Sequence, residues 1–181
     1  MGRGKVFPAS AARHLLNPLR LLVQPPGRVV RRMQLRTDDR VLELGCGPGW
    51  FSPALARAVP RGSLTLCDLQ PGMLALAARR TAAYTNVECV SADAGDLPFG
   101  DGAFDAVLLA TVLGEVADPG GCLLEVSRVL ARDGAVTVCE TRRDSDFVRL
   151  GDLVELAGAA GLQPGRRHGP PWEYAVRFIK S

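Results

Sequence analysis

Three glycines at alternate positions follow an apolar stretch in the first third of the chain. Residues 41–49 have the sequence VLELGCGPG. Glycine has no Cβ, so a loop containing Gly45, Gly47 and Gly49 can turn sharply and let a ligand approach its main chain. A buried strand that ends in such a loop, with a helix-forming stretch behind it, is typical of a nucleotide-type cofactor site.

The residues around these glycines exclude two common phosphate-binding motifs. A dinucleotide fingerprint needs a small residue at position 50 and a phosphate loop needs a lysine there, but the chain has Trp50. Glu43 precedes the glycines, and its charge would oppose a pyrophosphate. The same charge suits a cofactor that carries an ammonium and a sulfonium group.

Two further acidic residues follow predicted strands. The predicted strand 64–68 ends in Asp68, and the next predicted strand, 87–91, is followed by Asp93. Asp68 comes about 20 residues after the glycine loop, the distance at which such an acid reaches the hydroxyl pair of a ribose. The spacing therefore favours a cofactor that contains a nucleoside.

These segments resemble the class I S-adenosylmethionine (SAM) methyltransferases, whose first motif is E/D-x-G-x-G-x-G, as in residues 43–49. The stretches LPF at 97–99 and FDAVLLA at 104–110 are similar to the branch that includes the ubiquinone and menaquinone C-methyltransferases. The resemblance spans roughly residues 29–181. It implies a Rossmann-like α/β fold with a seven-stranded, mostly parallel sheet, an antiparallel last strand and helices on both faces.

The resemblance also implies which residues bind SAM. Glu43 and the glycines would hold its methionine part, Asp68 its ribose, and Asp93 with Ala94 its adenine. The full implied set is Glu43, Gly45, Cys46, Gly47, Gly49, Asp68, Leu69, Asp93, Ala94 and Ala110.

Glu115 and His14 are the candidate catalytic residues. Glu115 is the acid nearest to the expected methyl-transfer point, where it would orient or deprotonate the acceptor; the alternative is a helix-start carboxylate. His14 lies on a predicted lead helix, residues 9–24, which in relatives folds over the cofactor as a lid; the alternative is a surface histidine. The implied reaction is an in-line displacement, in which alignment contributes most.

Missing motifs narrow the acceptor to a small molecule. Methyltransferases that act on nucleic-acid amines carry N/D-P-P-Y/F after the fourth strand, where residues 110–113 are ATVL, so no nucleic-acid partner is predicted. Thr111 occupies the position of an acid in metal-dependent catechol-type enzymes, so no metal site is predicted. Gly114 and Glu115 replace a histidine pair of the quinone and sterol relatives, which leaves open whether the acceptor is lipid-like or quinone-like.

The predicted elements alternate between strands and helices, which indicates a parallel sheet covered on both faces. We expect residues 1–36 to form an N-terminal helical lid or extension and residues 37–181 to form the SAM-binding core. His168 lies in a predicted solvated loop, residues 165–169. The predicted strands are 41–45, 64–68, 87–91, 104–110 and 135–140, the helices are 50–59, 71–83, 119–131 and 152–160, and 172–179 is a last strand or hairpin pair.

The 181 residues are 47% hydrophobic and 23% charged, as in soluble globular proteins. No apolar run has the length of a membrane span and no signal-peptide core is present, so a cytoplasmic location is predicted.

Arginines concentrate in the first 40 residues. They could contact an anionic membrane or an acidic substrate, and a solvated helix face is the alternative. Cys67, Cys89 and Cys139 lie in apolar strands, which predicts reduced, buried thiols without a disulfide or metal.

The sequence is compatible with two other interpretations. The first is a non-catalytic protein of the same fold that works as a partner or regulatory subunit. The second is a nicotinamide oxidoreductase, which Trp50 and the Asp93 motif disfavour. The sequence does not define the oligomeric state.

Overall fold

The computed structural model describes residues 25–180, which surround one seven-stranded sheet. The predicted lead helix and His14 lie outside the described residues. In residues 25–180, no helix is both long enough and apolar enough to cross a bilayer. The helices are α1 (Pro26–Met33), α2 (Ser52–Ala58), α3 (Pro71–Thr81), α4 (Pro119–Val129) and α5 (Leu150–Ala159). The strands are β1 (Arg40–Leu44), β2 (Ser63–Asp68), β3 (Val87–Ser91), β4 (Phe104–Ala110), β5 (Leu130–Thr141), β6 (Leu162–His168) and β7 (Glu173–Lys180).

The strand order is β3-β2-β1-β4-β5-β7-β6. The first five strands are parallel to one another, and β7 runs antiparallel to both of its neighbours. This topology confirms the predicted α/β fold with an antiparallel last strand. The central strands are buried on both faces, which explains why their sequences are continuously apolar.

Alternate residues of each central strand pack into two separate cores. Leu42 and Leu44 of β1 belong to the core that α4 and α5 cover, whereas Val41 belongs to the core beneath α1, α2 and α3. Successive side chains of a strand point to opposite faces, so this division follows from strand geometry. Val29 and Met33 of α1 are buried in the second core, which attaches this helix to the sheet.

The position of β1 defines the place where a ligand can bind. β1 pairs with β2 on one side and with β4 on the other, and Leu44 lies opposite both Cys67 and Leu109. The chain runs from β1 to β2 and β3 on one side and then returns to place β4 on the other side of β1. This reversal creates a crevice outside the carboxyl ends of these strands. The residues that follow the three strands meet at that crevice.

Residues 165–169 are mostly exposed, as predicted, but the prediction of a loop is wrong. Most of this segment belongs to β6, where His168 is half-buried and pairs with Ala175 of β7. β6 is an edge strand with an irregularity between Pro164 and Arg167. An edge strand tolerates proline and exposes most of its side chains, so β6 lacks the apolar alternation that identifies a strand.

Two smaller expectations also differ from the structure. The predicted helix 119–131 ends at Val129, and β5 begins at the next residue, five residues before the predicted strand. Cys89 is exposed because β3 forms the other edge of the sheet, whereas Cys67 and Cys139 are buried as predicted. All five cysteines are free.

Phe178 and Ile179 provide a test of the core. Phe178 on β7 is 0% exposed and Ile179 is 36% exposed. We expect Phe178→Ala to lower the free energy of unfolding by about 3–5 kcal/mol, because it removes a ring from a close-packed core. Urea unfolding followed by circular dichroism measures the loss. Ile179→Ala is the matched control and should cost clearly less; equal losses would contradict the described packing.

Candidate functional site

The glycine loop follows β1 and adopts a backbone that only glycine accepts easily. Gly45, Gly47 and Gly49 all have positive φ values, of 67°, 52° and 79°. A Cβ at Gly45 would collide with the side chain of Val112, and one at Gly49 would lie 2.9 Å from the Cα of Ala77. Both the backbone conformation and the close approach of neighbouring segments therefore require glycine.

Hydrogen bonds hold this loop against the neighbouring elements. The backbone N–H of Gly47 donates to Oδ2 of Asp68 over 2.8 Å, which links the loop to the end of β2. The N–H of Gly49 donates to the carbonyl of Cys46 over 3.0 Å. Nε of Arg80 on α3 donates to the carbonyl of Gly49, also over 3.0 Å. The loop is thus fixed before any ligand binds.

Asp68 lies at the end of β2 with both carboxylate oxygens engaged by the backbone. Besides Gly47, the N–H of Gln70 donates to Oδ1 over 2.9 Å. A carboxylate offers about four acceptor positions, so hydroxyl groups can still donate to Asp68. Leu69, the next residue, is half exposed. This donor and acceptor set fits the ribose contact that the sequence predicts.

Glu43 is 3% exposed and accepts a 2.6 Å hydrogen bond from Oγ of Ser52. This bond attaches the end of β1 to the first residue of α2, so Glu43 braces both ends of the glycine loop. Cys46 in the loop is also buried, and burial with the charges of Glu43 and Asp68 raises the pKa of its thiol. Cys46 is therefore a neutral packing residue rather than a nucleophile.

Asp93 follows β3 at the same edge of the sheet. It is exposed, and its Oδ1 accepts a 2.8 Å hydrogen bond from the N–H of Gly95. Ala94 is half-buried against the core. Burial, and then the charges of Asp68 and Asp93, raises the pKa of Cys67 to about 11, as expected when both acids lie at one corner.

A strained turn follows β4. Ala110 is half-buried, and Thr111 has a φ of 57°, a left-handed conformation that costs a β-branched residue roughly 1–2 kcal/mol. The N–H of Thr111 donates to the carbonyl of Cys139 over 2.8 Å, and its hydroxyl donates to the carbonyl of Ala110 over 2.7 Å. The turn directs Val112 onto Gly45. Strain of this kind concentrates at functional sites.

Glu115 lies in this turn, half-buried, and its N–H donates to the carbonyl of Val112 over 2.9 Å. The alternative role as a helix-start carboxylate is wrong. Asp118 caps α4 instead, since its Oδ1 accepts a 3.0 Å hydrogen bond from the N–H of Gly121. The catalytic role of Glu115 remains a prediction, as does that of His14.

Glu140 is a site residue that the sequence analysis missed. It lies near the end of β5, is 2% exposed, and its Oε1 has no hydrogen-bond partner among residues 25–180. Burial raises its pKa to about 8, although the N–H of Val148 hydrogen-bonds to the carboxyl and lowers it, and the charges of Asp144 and Glu115 raise it further. The sequence does contain a signal for Glu140, because a charged residue at the end of an apolar strand is the same pattern that identified Asp68.

The chain after β5 folds back over Glu140. Tyr174, its partner on β7, donates a 2.8 Å hydrogen bond to the carbonyl of Val148, and the ring of Phe147 packs edge-on against Tyr174. Gly114 has no room for a Cβ because the backbone of Asp146 lies against it. The turn after β4 and the loop after β5 therefore form one corner that contains both Glu115 and Glu140.

The structure thus brings the predicted cofactor residues and Glu115 to one edge of the sheet. In the described part of the chain, no three His, Cys, Asp or Glu side chains are grouped so that they could hold a metal ion. The available chemistry is hydrogen bonding to a nucleoside, alignment of a second molecule beside it, and proton acceptance by a carboxylate.

Comparisons with known proteins agree with this arrangement. Residues 42–138 match the family model described as a methyltransferase domain. The demethylmenaquinone methyltransferase of Staphylococcus aureus strain JH9 is 38% identical over 115 residues, which are 63% of this chain and 48% of that protein. The chain therefore spans about half the length of the curated relatives it matches.

Solved structures share the fold. A SAM-dependent methyltransferase from Aquifex aeolicus matches with a TM-score of 0.89 at 21% identity, and the match covers 97% of this chain and 100% of that protein. The cyclase SpnF matches with a TM-score of 0.73 at 23% identity, over 86% of this chain and 79% of that protein. At these identities the likeness concerns the fold alone.

Glu140 makes stability depend on pH. Its folded pKa of about 8 lies above its ordinary value of 4.5. Between these values the folded state keeps a proton that the unfolded state has released, so stability falls as pH rises. Glutamine does not titrate, so we expect the stability of Glu140→Gln relative to the parent to increase by about 1.4 kcal/mol for each pH unit across that window.

Urea unfolding at several pH values between the two pKa values measures this difference. Glu155→Gln on α5 is the matched control, because Glu155 is exposed, and its stability should stay parallel to that of the parent. A constant difference between Glu140→Gln and the parent would show that Glu140 is charged in the folded protein.

Proposed function

The chain belongs to the methyltransferase-domain family, and on this premise we propose that it binds SAM and transfers a methyl group to a small-molecule acceptor. The observation that carries the proposal is the 2.8 Å hydrogen bond between the N–H of Gly47 and the carboxylate of Asp68. It joins a glycine loop to a strand-end acid at the crevice beside β1, where open α/β sheets bind nucleosides.

The residues present fit this cofactor. The glycine loop and Glu43 hold the methionine part, with Cys46 as a neutral packing residue. Asp68, with acceptor capacity left beyond its two backbone donors, and Leu69 bind the ribose. Asp93 and Ala94 contact the adenine, and Ala110 lies beside the methionine part. SAM, when bound, supplies a methyl group already activated by its sulfonium.

The protein's own task is then to align the acceptor and to exclude water. Glu115 lies beside the strained Thr111 at the end of β4, where it can orient the acceptor or take its proton. Glu140 lies in the same corner, where burial raises the pKa of its carboxyl to about 8 and thereby reduces the negative charge beside Glu115. An acceptor that holds its proton tightly needs such a base.

The proposal also includes a chemical class for the methyl acceptor. Similarity to a demethylmenaquinone methyltransferase supports a lipid-like or quinone-like acceptor, over the matched 115 residues. One feature differs from the quinone branch. Gly114, where that branch often has a histidine, has no room for a side chain because of the Asp146 backbone. The contacts around the acceptor must therefore differ from those of the quinone enzymes.

Calorimetric titration with SAM, S-adenosylhomocysteine and NAD tests the cofactor. We expect Asp68→Ala to weaken binding of both sulfur compounds on the order of 10- to 100-fold, because a hydrogen bond to a charged group contributes about 1.5–3 kcal/mol. Asp152→Ala, an exposed acid on α5, is the control. Melting temperatures establish that both variants are folded. Unchanged SAM affinity in Asp68→Ala would refute the ribose assignment.

A screen of quinones, phenols and lipid amines with labelled SAM identifies an acceptor. With that acceptor, we expect Glu115→Gln to lower kcat by roughly 100-fold or more if Glu115 is the base, with SAM affinity within twofold of the parent. Glu155→Gln should leave kcat unchanged. Full activity of Glu115→Gln would exclude Glu115 as the base. SAM binding by the parent without turnover of any acceptor would favour the alternative of a non-catalytic partner protein.

A further inference from the structure

A second feature of the molecule lies on the opposite side of β5 from Glu140. There, a cavity of about 190 Å³ separates α1 from the carboxyl end of β5 and the start of β7. Arg28 and Arg32 line one side, and Cys139 and Ala175 line the other. Sites for complete drug-sized ligands measure about 300–1,000 Å³, so this cavity suits one chemical group of a ligand rather than a whole molecule.

The two arginines lie one helical turn apart, on the same side of α1. Within residues 25–180, neither guanidinium forms a hydrogen bond or a salt bridge, although Arg32 is half-buried. The charge of Arg32 affects its surroundings: burial, and then Arg32 and Arg166, lowers the pKa of His168. A half-buried cation without a carboxylate partner is costly, which favours an anion as the missing partner.

The protein itself supplies little compensating charge. Among the described residues that line the cavity, Glu173 is the acidic one, and it lies beyond 4.0 Å salt-bridge distance from both arginines. Two guanidinium groups against one carboxylate leave the cavity positive. Arginine binds carboxylate and phosphate groups through two parallel N–H bonds, so these are the anions that the pair suits.

The cavity lies close to the expected methyl-transfer point. Cys139 pairs with Ala110 across the β4–β5 ladder, and its carbonyl accepts the N–H of Thr111. Neighbouring strands are about 4.8 Å apart, so along the sheet the cavity begins one strand away from the end of β4, although on the opposite side of β5 from Glu140. The glycine loop after β1 is two strands away, about 10 Å. A group in the cavity would therefore belong to the acceptor rather than to the cofactor.

We propose that this cavity binds a carboxylate or phosphate group of the methyl acceptor, held by Arg28 and Arg32. The proposal rests on the proposed methyltransferase function and makes it more specific, because it requires an acceptor with an acidic group. A bare quinone ring has no such group. The acceptor screen should accordingly include phenols and amines with a carboxylate or phosphate several bonds from the methylated atom.

Inorganic phosphate and benzoate, titrated at constant ionic strength, probe the isolated anion site. We expect the parent protein to bind at least one of them, and Arg32→Gln and Arg28→Gln to bind it at least fivefold more weakly. Arg31→Gln is the matched control, since it removes the same charge from the same helix outside the cavity; it should bind as the parent does. SAM affinity should stay within twofold of the parent in all three variants.

Several outcomes would overturn the proposal. Equal weakening in Arg31→Gln would assign the effect to the general surface charge, and loss of SAM affinity in Arg32→Gln would assign the arginines to the carboxylate of the cofactor. Binding to phosphatidylglycerol vesicles but not to phosphate or benzoate would indicate a membrane contact. Absence of SAM binding to the parent would reject the proposed function, while the anion titration would still report on the cavity.

Discussion

The pairing of β1 between β2 and β4 is the constraint on which the site depends. Leu44 lies opposite Cys67 and Leu109, so the residues after the three strands emerge at one level of the sheet. A shift of one residue in either ladder would turn every side chain of the shifted strand to the other face. A shift in the β1–β2 ladder would also separate Gly47 from Asp68, whose hydrogen bond joins the loop to the acid.

Close packing around this crevice limits what each position can be. A side chain at Gly45 would collide with Val112, and one at Gly114 would collide with the backbone of Asp146. The left-handed Thr111 directs the chain between them. The site is therefore formed before a ligand arrives, which reduces the conformational entropy lost on binding. Its unfavourable features, a strained residue and a buried carboxyl, are sustained by the apolar cores on both faces of the sheet.

Strand β5 separates a corner that contains the carboxyl groups of Glu115 and Glu140 from a cavity lined by two arginines. Alternation along the strand places Glu140 in the corner with Glu115, and places Cys139 beside the arginines of α1. One side of β5 thus presents acids to the expected reacting atoms, and the other presents cations. A polar acceptor with an acidic group at one end is the type of molecule that such a division can orient.

Features that depend on residues close together in the chain are visible in the sequence. The glycine loop, the acids after β2 and β3 and the alternation of strands and helices could be predicted, because local backbone preferences and apolar periodicity produce them. The remaining features depend on contacts between distant segments of the chain. β7 and the loop after β5 bury Glu140, whose Oε1 has no hydrogen-bond partner among residues 25–180. β6 is a strand because it pairs with β7, and Arg28 and Cys139, more than 100 residues apart, line one cavity. Burial, edge pairing and shared cavities depend on which distant segments pack together, and no local pattern encodes that.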